Sequence, residues 1–211
     1  MDIIYLGIIN ISRPNTRTLE VKMSTRALLY KILRRLSPSE FTNLQVMTGP
    51  SGKPYITGHP SWHFNISHSH GIGVCAVGRV PIGVDIERIE KRRNWPEIAE
   101  RFFQKQEISY LRHQRENDVA SFYHFWTRKE SWLKLKEMSI WQIERTPCCF
   151  DQKKPDFGVR TWKGSGLTPF SLSLCVNGGG KNITVRFLKD LIPEGIILNR
   201  VRLYEDAAAC R

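Results

Sequence analysis

Residues 24–36 repeat apolar positions at helical spacing, with Leu28, Leu29, Ile32, Leu33 and Leu36 on one face and basic residues opposite. That pattern predicts an amphipathic helix, which Pro38 stops. The run from Met1 to Gly7 predicts a first strand, and Arg13-Pro14-Asn15-Thr16 breaks the pattern after it. Residues 49–54 read as a loop and 64–67 as a short strand. Stretches 72–77 and 82–87 predict two antiparallel strands joined through Gly78-Arg79-Val80-Pro81. Helical patterns follow over 96–103, 106–114 and 118–136, the last capped by Asn117. Residues 170–176 alternate as a strand, and 183–188 are expected to return as its hairpin partner across Asn177-Gly178-Gly179-Gly180. Strands and helices mix without a βαβ rhythm, so the expected class is α+β, with two similar halves meeting near Pro81.

Within the strand pattern, Gly83-Val84-Asp85-Ile86-Glu87 is the most informative stretch. Alternate strand residues share a side, so Val84 and Ile86 face a core while both carboxylates face the other way, roughly 7 Å apart. Two anions held together cost free energy unless a positive group sits between them, and a hard cation with oxygen ligands fits that need. A third acid lies in Trp126-Thr127-Arg128-Lys129-Glu130-Ser131-Trp132-Leu133-Lys134, where Trp126, Glu130 and Lys134 fall on one helical stripe. Glu130 and Lys134 also read as an ordinary surface pair, and Asp85 and Glu87 as the polar side of an edge strand. Against this, Phe122, Phe125, Trp126 and Trp132 predict a helix wrapped by protein, where ionised groups need partners.

Composition narrows the function classes. The chain has 211 residues and a formal charge of +12, which favours a polyanionic partner: nucleic acid, a phosphorylated small molecule or an acidic protein. No nucleic-acid recognition motif accompanies that charge, and nucleic-acid binding would leave the acidic trio unexplained. Five cysteines without a CxxC pair argue against a disulfide framework or structural zinc. His63, His68 and His70 do not have the spacing of a helical metal pair. Gly52-Lys53-Pro54 is too short for a Walker loop, although Lys53 could hold one phosphate, and Ser67-His68 could donate hydrogen bonds to another. No apolar run approaches the ~18–20 residues of a membrane span, and the N-terminus lacks the basic start of a secretory signal. The expectation is a cytoplasmic protein without a membrane partner.

Taken in order, Gly52-Lys53-Pro54, Phe64-Asn65-Ile66-Ser67-His68-Ser69, Gly83 to Glu87, Arg101-Phe102-Phe103 with Glu107, and Trp126 to Lys134 resemble the Sfp-type 4′-phosphopantetheinyl transferase superfamily. The resemblance is good over residues 25–140 and generic beyond. It implies a pseudo-dimer of two similar α/β halves, 1–81 and 82–211, with mostly antiparallel sheets packed on helices and coenzyme A in the cleft between. It implies an enzyme that moves the 4′-phosphopantetheine arm of coenzyme A onto a serine of an acidic apo acyl or peptidyl carrier protein, releasing 3′,5′-ADP. By motif position, Asp85, Glu87 and Glu130 would hold Mg²⁺ or Mn²⁺, with Asp85, Glu130 and Lys134 as catalytic residues. Glu130 would deprotonate the carrier serine. Lys134 would steady the pyrophosphate, and Lys53, Ser67, His68 and Arg26 would contact coenzyme A. Two halves in one chain imply a monomer. A binding-only relative, holding carrier protein or coenzyme A without transfer, is the alternative.

Two departures from the family pattern stand out. Its Gly-x-Gly turn after the lysine is replaced by Lys136-Glu137-Met138-Ser139-Ile140-Trp141-Gln142, so the helix exit should differ. That stretch, with Asn94-Trp95, is similar to the shorter enterobacterial holo-acyl-carrier-protein synthases of the superfamily. The basic segment that larger members place before the first helix is nearly absent, leaving Arg17 and Lys22 as stand-ins for binding the 3′-phosphate.

Overall fold

The fold is taken from a computed structural model, which describes residues 2–11, 18–91, 94–113, 119–149, 157–165, 169–177 and 183–201. Arg17, Asn117 and the glycine turn 178–180 lie outside the described residues. The class is α+β. Its first sheet has the order β4-β5-β1-β9, built from β1 (Asp2–Asn10), β4 (His63–Ser69), β5 (Ile72–Gly78) and β9 (Ile183–Phe187). The second has the order β10-β7-β8-β6, from β6 (Ile82–Arg88), β7 (Phe157–Ser165), β8 (Phe170–Asn177) and β10 (Ile197–Val201). A small ribbon of β2 (Val46–Thr48) and β3 (Pro54–Ile56) carries the loop between them.

Side-chain alternation decides how these layers stack. Ile4, Leu6, Ile8, Ile72, Val74 and Ala76 from the first sheet meet Ile82, Val84, Ile86, Leu172, Leu174 and Val176 from the second in one apolar core. The opposite face of the first sheet, including Cys75 and Val77, receives Leu28, Leu29, Ile32 and Leu33 of α1 (Thr18–Leu36). The opposite face of the second receives α4 (Val119–Lys136), flanked by α2 (Trp95–Phe102) and α3 (Lys105–His113). The order of layers is helix, sheet, sheet, helix. The helical side is sealed by aromatic packing: Phe103 stacks on Phe122 at 5.4 Å and Phe122 on Trp126 at 5.9 Å.

Two strand pairings expected from the sequence are different in the structure. Segments 72–78 and 82–88 are not partners; β5 pairs with β4 and β1, and β6 pairs with β8 in the other sheet. The true hairpin is β4–β5, closed by His70 and Gly71 with φ of 42° and 86°. Two successive left-handed residues match the right-handed twist of a two-residue hairpin, whereas Pro81 between β5 and β6 marks a crossing between layers. Likewise β9 does not return on β8, because β8 already has β6 and β7 on its two edges. It runs parallel to β1 instead, where an edge of the first sheet stood open.

The exit of α4 shows what replaces the missing glycines. Glu137 takes the left-handed conformation (φ 57°), and the Met138 N–H bonds the Leu133 carbonyl at 2.9 Å. A non-glycine residue there costs roughly 1 kcal/mol. Its carboxylate is held by the Ser51 hydroxyl at 2.6 Å. Ser139 and Gln142 then form a capping box that opens a 3-10 turn at Ile140–Arg145.

Candidate active site

The edges β4 and β6 lie side by side where the two sheets meet. They share no backbone ladder, and side chains supply the missing bonds. Asn65 Oδ1 accepts from the Val84 N–H at 2.7 Å, and Ser69 Oγ accepts from the Arg88 N–H at 3.3 Å. On β6 the odd residues face α4, as the alternation predicts. Here Gly83 sets the approach distance: a Cβ on it would lie 1.9 Å from the Ser131 carbonyl oxygen and 2.5 Å from the Leu135 nitrogen. Only a residue without a side chain lets α4 sit this close. Gly83→Ala is therefore expected to push α4 outward, costing about 1–3 kcal/mol in a denaturant melt. Parental stability would show that the helix accommodates the methyl.

That close approach brings Glu130 over the β6 acids. Oxygens of Asp85, Glu87 and Glu130 lie within 4.8 Å of one another. Lys134, one turn beyond Glu130, donates to Asp85 Oδ1 at 2.6 Å and to Ser67 Oγ at 2.9 Å, and its ammonium is 3.9 Å from Glu130. The Ser67 hydroxyl donates to the same Asp85 oxygen at 2.7 Å. Asp85 Oδ2 is buried with no hydrogen-bond partner among the described residues. A buried aspartate with one oxygen unpartnered, clustered with two further carboxylates, is a donor set for a hard divalent cation, and magnesium or manganese fits it better than zinc.

The electrostatics follow from this crowding. Burial first, then the Asp85 charge, pushes the Glu130 carboxyl up to about 8, with Lys134 working the other way. Burial opposes the charge on Lys134, but Asp85 and Glu130 more than offset it and hold its ammonium above the ordinary lysine value. Without a cation, the folded protein keeps a proton on Glu130 that an unfolded chain releases near 4.5. Stability from this group is complete below that value, falls as pH rises through the window, and is lost by about 8. In EDTA, the thermal midpoint is expected to drop between about pH 4.5 and 8, and less so in Glu130→Gln, which keeps the neutral form. Equal drops in both proteins would mean that Glu130 does not carry this linkage.

The remaining candidates are placed less centrally. Lys53 donates to two backbone carbonyls, Ile82 at 3.1 Å and Lys134 at 2.9 Å, so it ties the loop to the start of β6 and the end of α4. Burial lowers its pKa, with Glu137 opposing. His68 belongs to the β4 face that α1 covers, opposite to Ser67. Burial, then the charges of Lys22 and Lys134, hold its imidazole below the usual histidine value. Arg26 on α1 donates to the Val46 carbonyl at 3.3 Å. Sequence reasoning missed two contributors: Ser69, which donates to Glu87 Oε2 at 2.5 Å, and Asn65. Their alternation with Phe64 and Ile66 on β4 was the available signal.

Residues 81–154 match the family model of the 4′-phosphopantetheinyl transferase superfamily, a segment that holds all three acids and Lys134. Over that segment the chain is similar to this superfamily. It is similar to the 4′-phosphopantetheinyl transferase Sfp of Bacillus subtilis (strain 168), 38% identical over 108 residues, 51% of this chain and 47% of that protein. It is also similar to the 4′-phosphopantetheinyl transferase AcpT of Salmonella typhi, 37% identical over 113 residues, covering 52% and 56%. A further 4′-phosphopantetheinyl transferase of Bacillus subtilis is 46% identical over 84 residues, covering 39% and 37%. The chain thus spans about half the length of the curated relatives it matches. The superfamily segment begins at β6, so β4 with its serines lies outside it. Among the described residues, no helix is long and apolar enough to cross a membrane.

Proposed function

We propose that this chain is a magnesium-dependent 4′-phosphopantetheinyl transferase acting on an acidic apo acyl or peptidyl carrier protein, with coenzyme A as donor. The observation that carries the reading is the buried, unpartnered Asp85 Oδ2 within a cluster of three carboxylates and one lysine. Asp85, Glu87 and Glu130 would hold the cation, which when bound neutralises charge on a pyrophosphate. Manganese would serve the same oxygens.

The rest of the chemistry belongs to the chain's own residues. Glu130 takes the proton of the carrier serine hydroxyl as that oxygen bonds to the phosphorus bearing the pantetheine arm. The bond from this phosphorus to the bridging oxygen breaks, and 3′,5′-ADP leaves with the electron pair. Lys134, fixed on Asp85, sets its ammonium beside the charge that develops on the leaving group. The halves 1–81 and 82–211 supply opposite walls, β4 from the first and β6 with α4 from the second, while β9 reaches back into the first sheet. One chain therefore builds the cleft as a monomer. The basic surface suits an acidic protein partner in the cytoplasm.

Intact-protein mass spectrometry of apo carrier proteins, incubated with this protein, coenzyme A and magnesium, tests the reading. A phosphopantetheine mass gain that EDTA prevents is expected. No gain on any acyl or peptidyl carrier, with coenzyme A still bound, would replace transfer with a binding role.

A further inference from the structure

We propose that Ser67 and Ser69 are positioning residues that preset the Asp85 and Glu87 carboxylates for a divalent cation. This rests on the metal site of the proposed function and adds to it a second strand, outside the segment that matches the superfamily. The argument begins with register. Asn65, Ser67 and Ser69 share one face of β4, and Asn65 and Ser69 accept backbone N–H groups of β6, fixing one edge along the other. In that register each serine stands opposite one acid, at a constant interval: Ser67 with Asp85 and Ser69 with Glu87.

A serine hydroxyl has a single proton to give. Ser67 gives it to Asp85 Oδ1 and accepts from Lys134. Ser69 gives it to Glu87 Oε2 and accepts from the Arg88 N–H, with His70 Nδ1 at 3.0 Å. Each hydroxyl therefore pins one oxygen of its carboxylate and fixes the plane of the other. For Asp85 the result is visible: Oδ1 accepts from both Ser67 and Lys134, and Oδ2 is left buried with no hydrogen-bond partner among the described residues. Partners behind metal ligands orient them and commonly change metal affinity by about 10–100-fold when removed.

The test titrates Mn²⁺ into the full chain with saturating coenzyme A and no carrier, reading free Mn²⁺ by electron paramagnetic resonance. Asp85→Asn serves as the reference for Mn²⁺ held by coenzyme A alone. Ser69→Ala is expected to raise the Mn²⁺ dissociation constant about ten-fold, Ser69→Cys to fall between, and Ser69→Thr, which keeps the hydroxyl, to stay within about three-fold. Magnesium activation of transfer should show the same order, with the half-saturating concentration rising more than the maximal rate falls. Mn²⁺ binding by Ser69→Ala and Ser67→Ala within two-fold of the parent would overturn the proposal, and parental binding by Ser69→Cys would do so if the alanine variants fail to fold. A parent that binds no more Mn²⁺ than Asp85→Asn would instead remove the metal site itself, and the serine role with it.

Discussion

Glu130→Ala is expected to lower kcat/KM for carrier modification by at least about 10³-fold, with little change in the thermal midpoint. A positioned general base is worth about 10²–10⁴-fold, and this residue also supplies an oxygen to the cation cluster, so the two losses compound. Stability should hold because the carboxylate stands half-buried at a seam and its removal relieves repulsion with Asp85. Asp85→Asn is the companion experiment. It keeps the shape of the side chain but removes the charge that holds Lys134, so transfer should fall by a comparable factor. Magnesium-dependent transfer by purified, folded Glu130→Ala at more than a tenth of the parental rate would dismiss Glu130 as the base.

Much of this site could be read from local patterns, because its acids sit on regular elements. Alternation placed Asp85 and Glu87 on one side of a strand, and four-residue spacing placed Trp126, Glu130 and Lys134 on one stripe. Both hold: the Lys134 ammonium lies 3.9 Å from Glu130 one turn before it, and it reaches the Asp85 carboxylate. What local patterns could not give was pairing between distant segments. The chain 72–88 reads as a hairpin because two alternating stretches flank a turn, yet the same apolar faces bury as well by packing sheet on sheet. Ser69 and Asn65 look like ordinary strand polar residues until β4 is known to lie against β6. Lys53, which reads as a phosphate ligand, also donates to two backbone carbonyls, a tie that no local pattern announces.

The same blindness to distant pairing hid the strongest structural prediction, which concerns Lys129 rather than its neighbour. Its ammonium is fully buried and lies 3.0 Å from Glu107 Oε2, while also donating to Thr146 Oγ1 at 2.8 Å. Glu107 in turn accepts from the Gln104 N–H at 2.9 Å and the Cys149 N–H at 2.7 Å. One ion pair thus ties α3, α4 and the segment after the 3-10 turn. Lys129 and Glu130 are adjacent on α4, about 100° apart around its axis. Pinning Lys129 toward α3 is what turns Glu130 toward β6. Breaking the pair by Lys129→Ala leaves an uncompensated buried carboxylate, a loss of about 3–5 kcal/mol. For a chain of this size that corresponds to a thermal midpoint lower by roughly 6–20 °C. Glu107→Ala should cost as much, while Lys129→Met combined with Glu107→Gln should recover part of the stability, because the charges are then removed together and the amide oxygen still accepts a backbone N–H. The double variant separates the two roles of the pair. If the fold recovers but transfer does not, the ion pair sets the angle of Glu130. If chemical denaturation of Lys129→Ala matches the parent within about 1 kcal/mol, the pair has no part in holding α4.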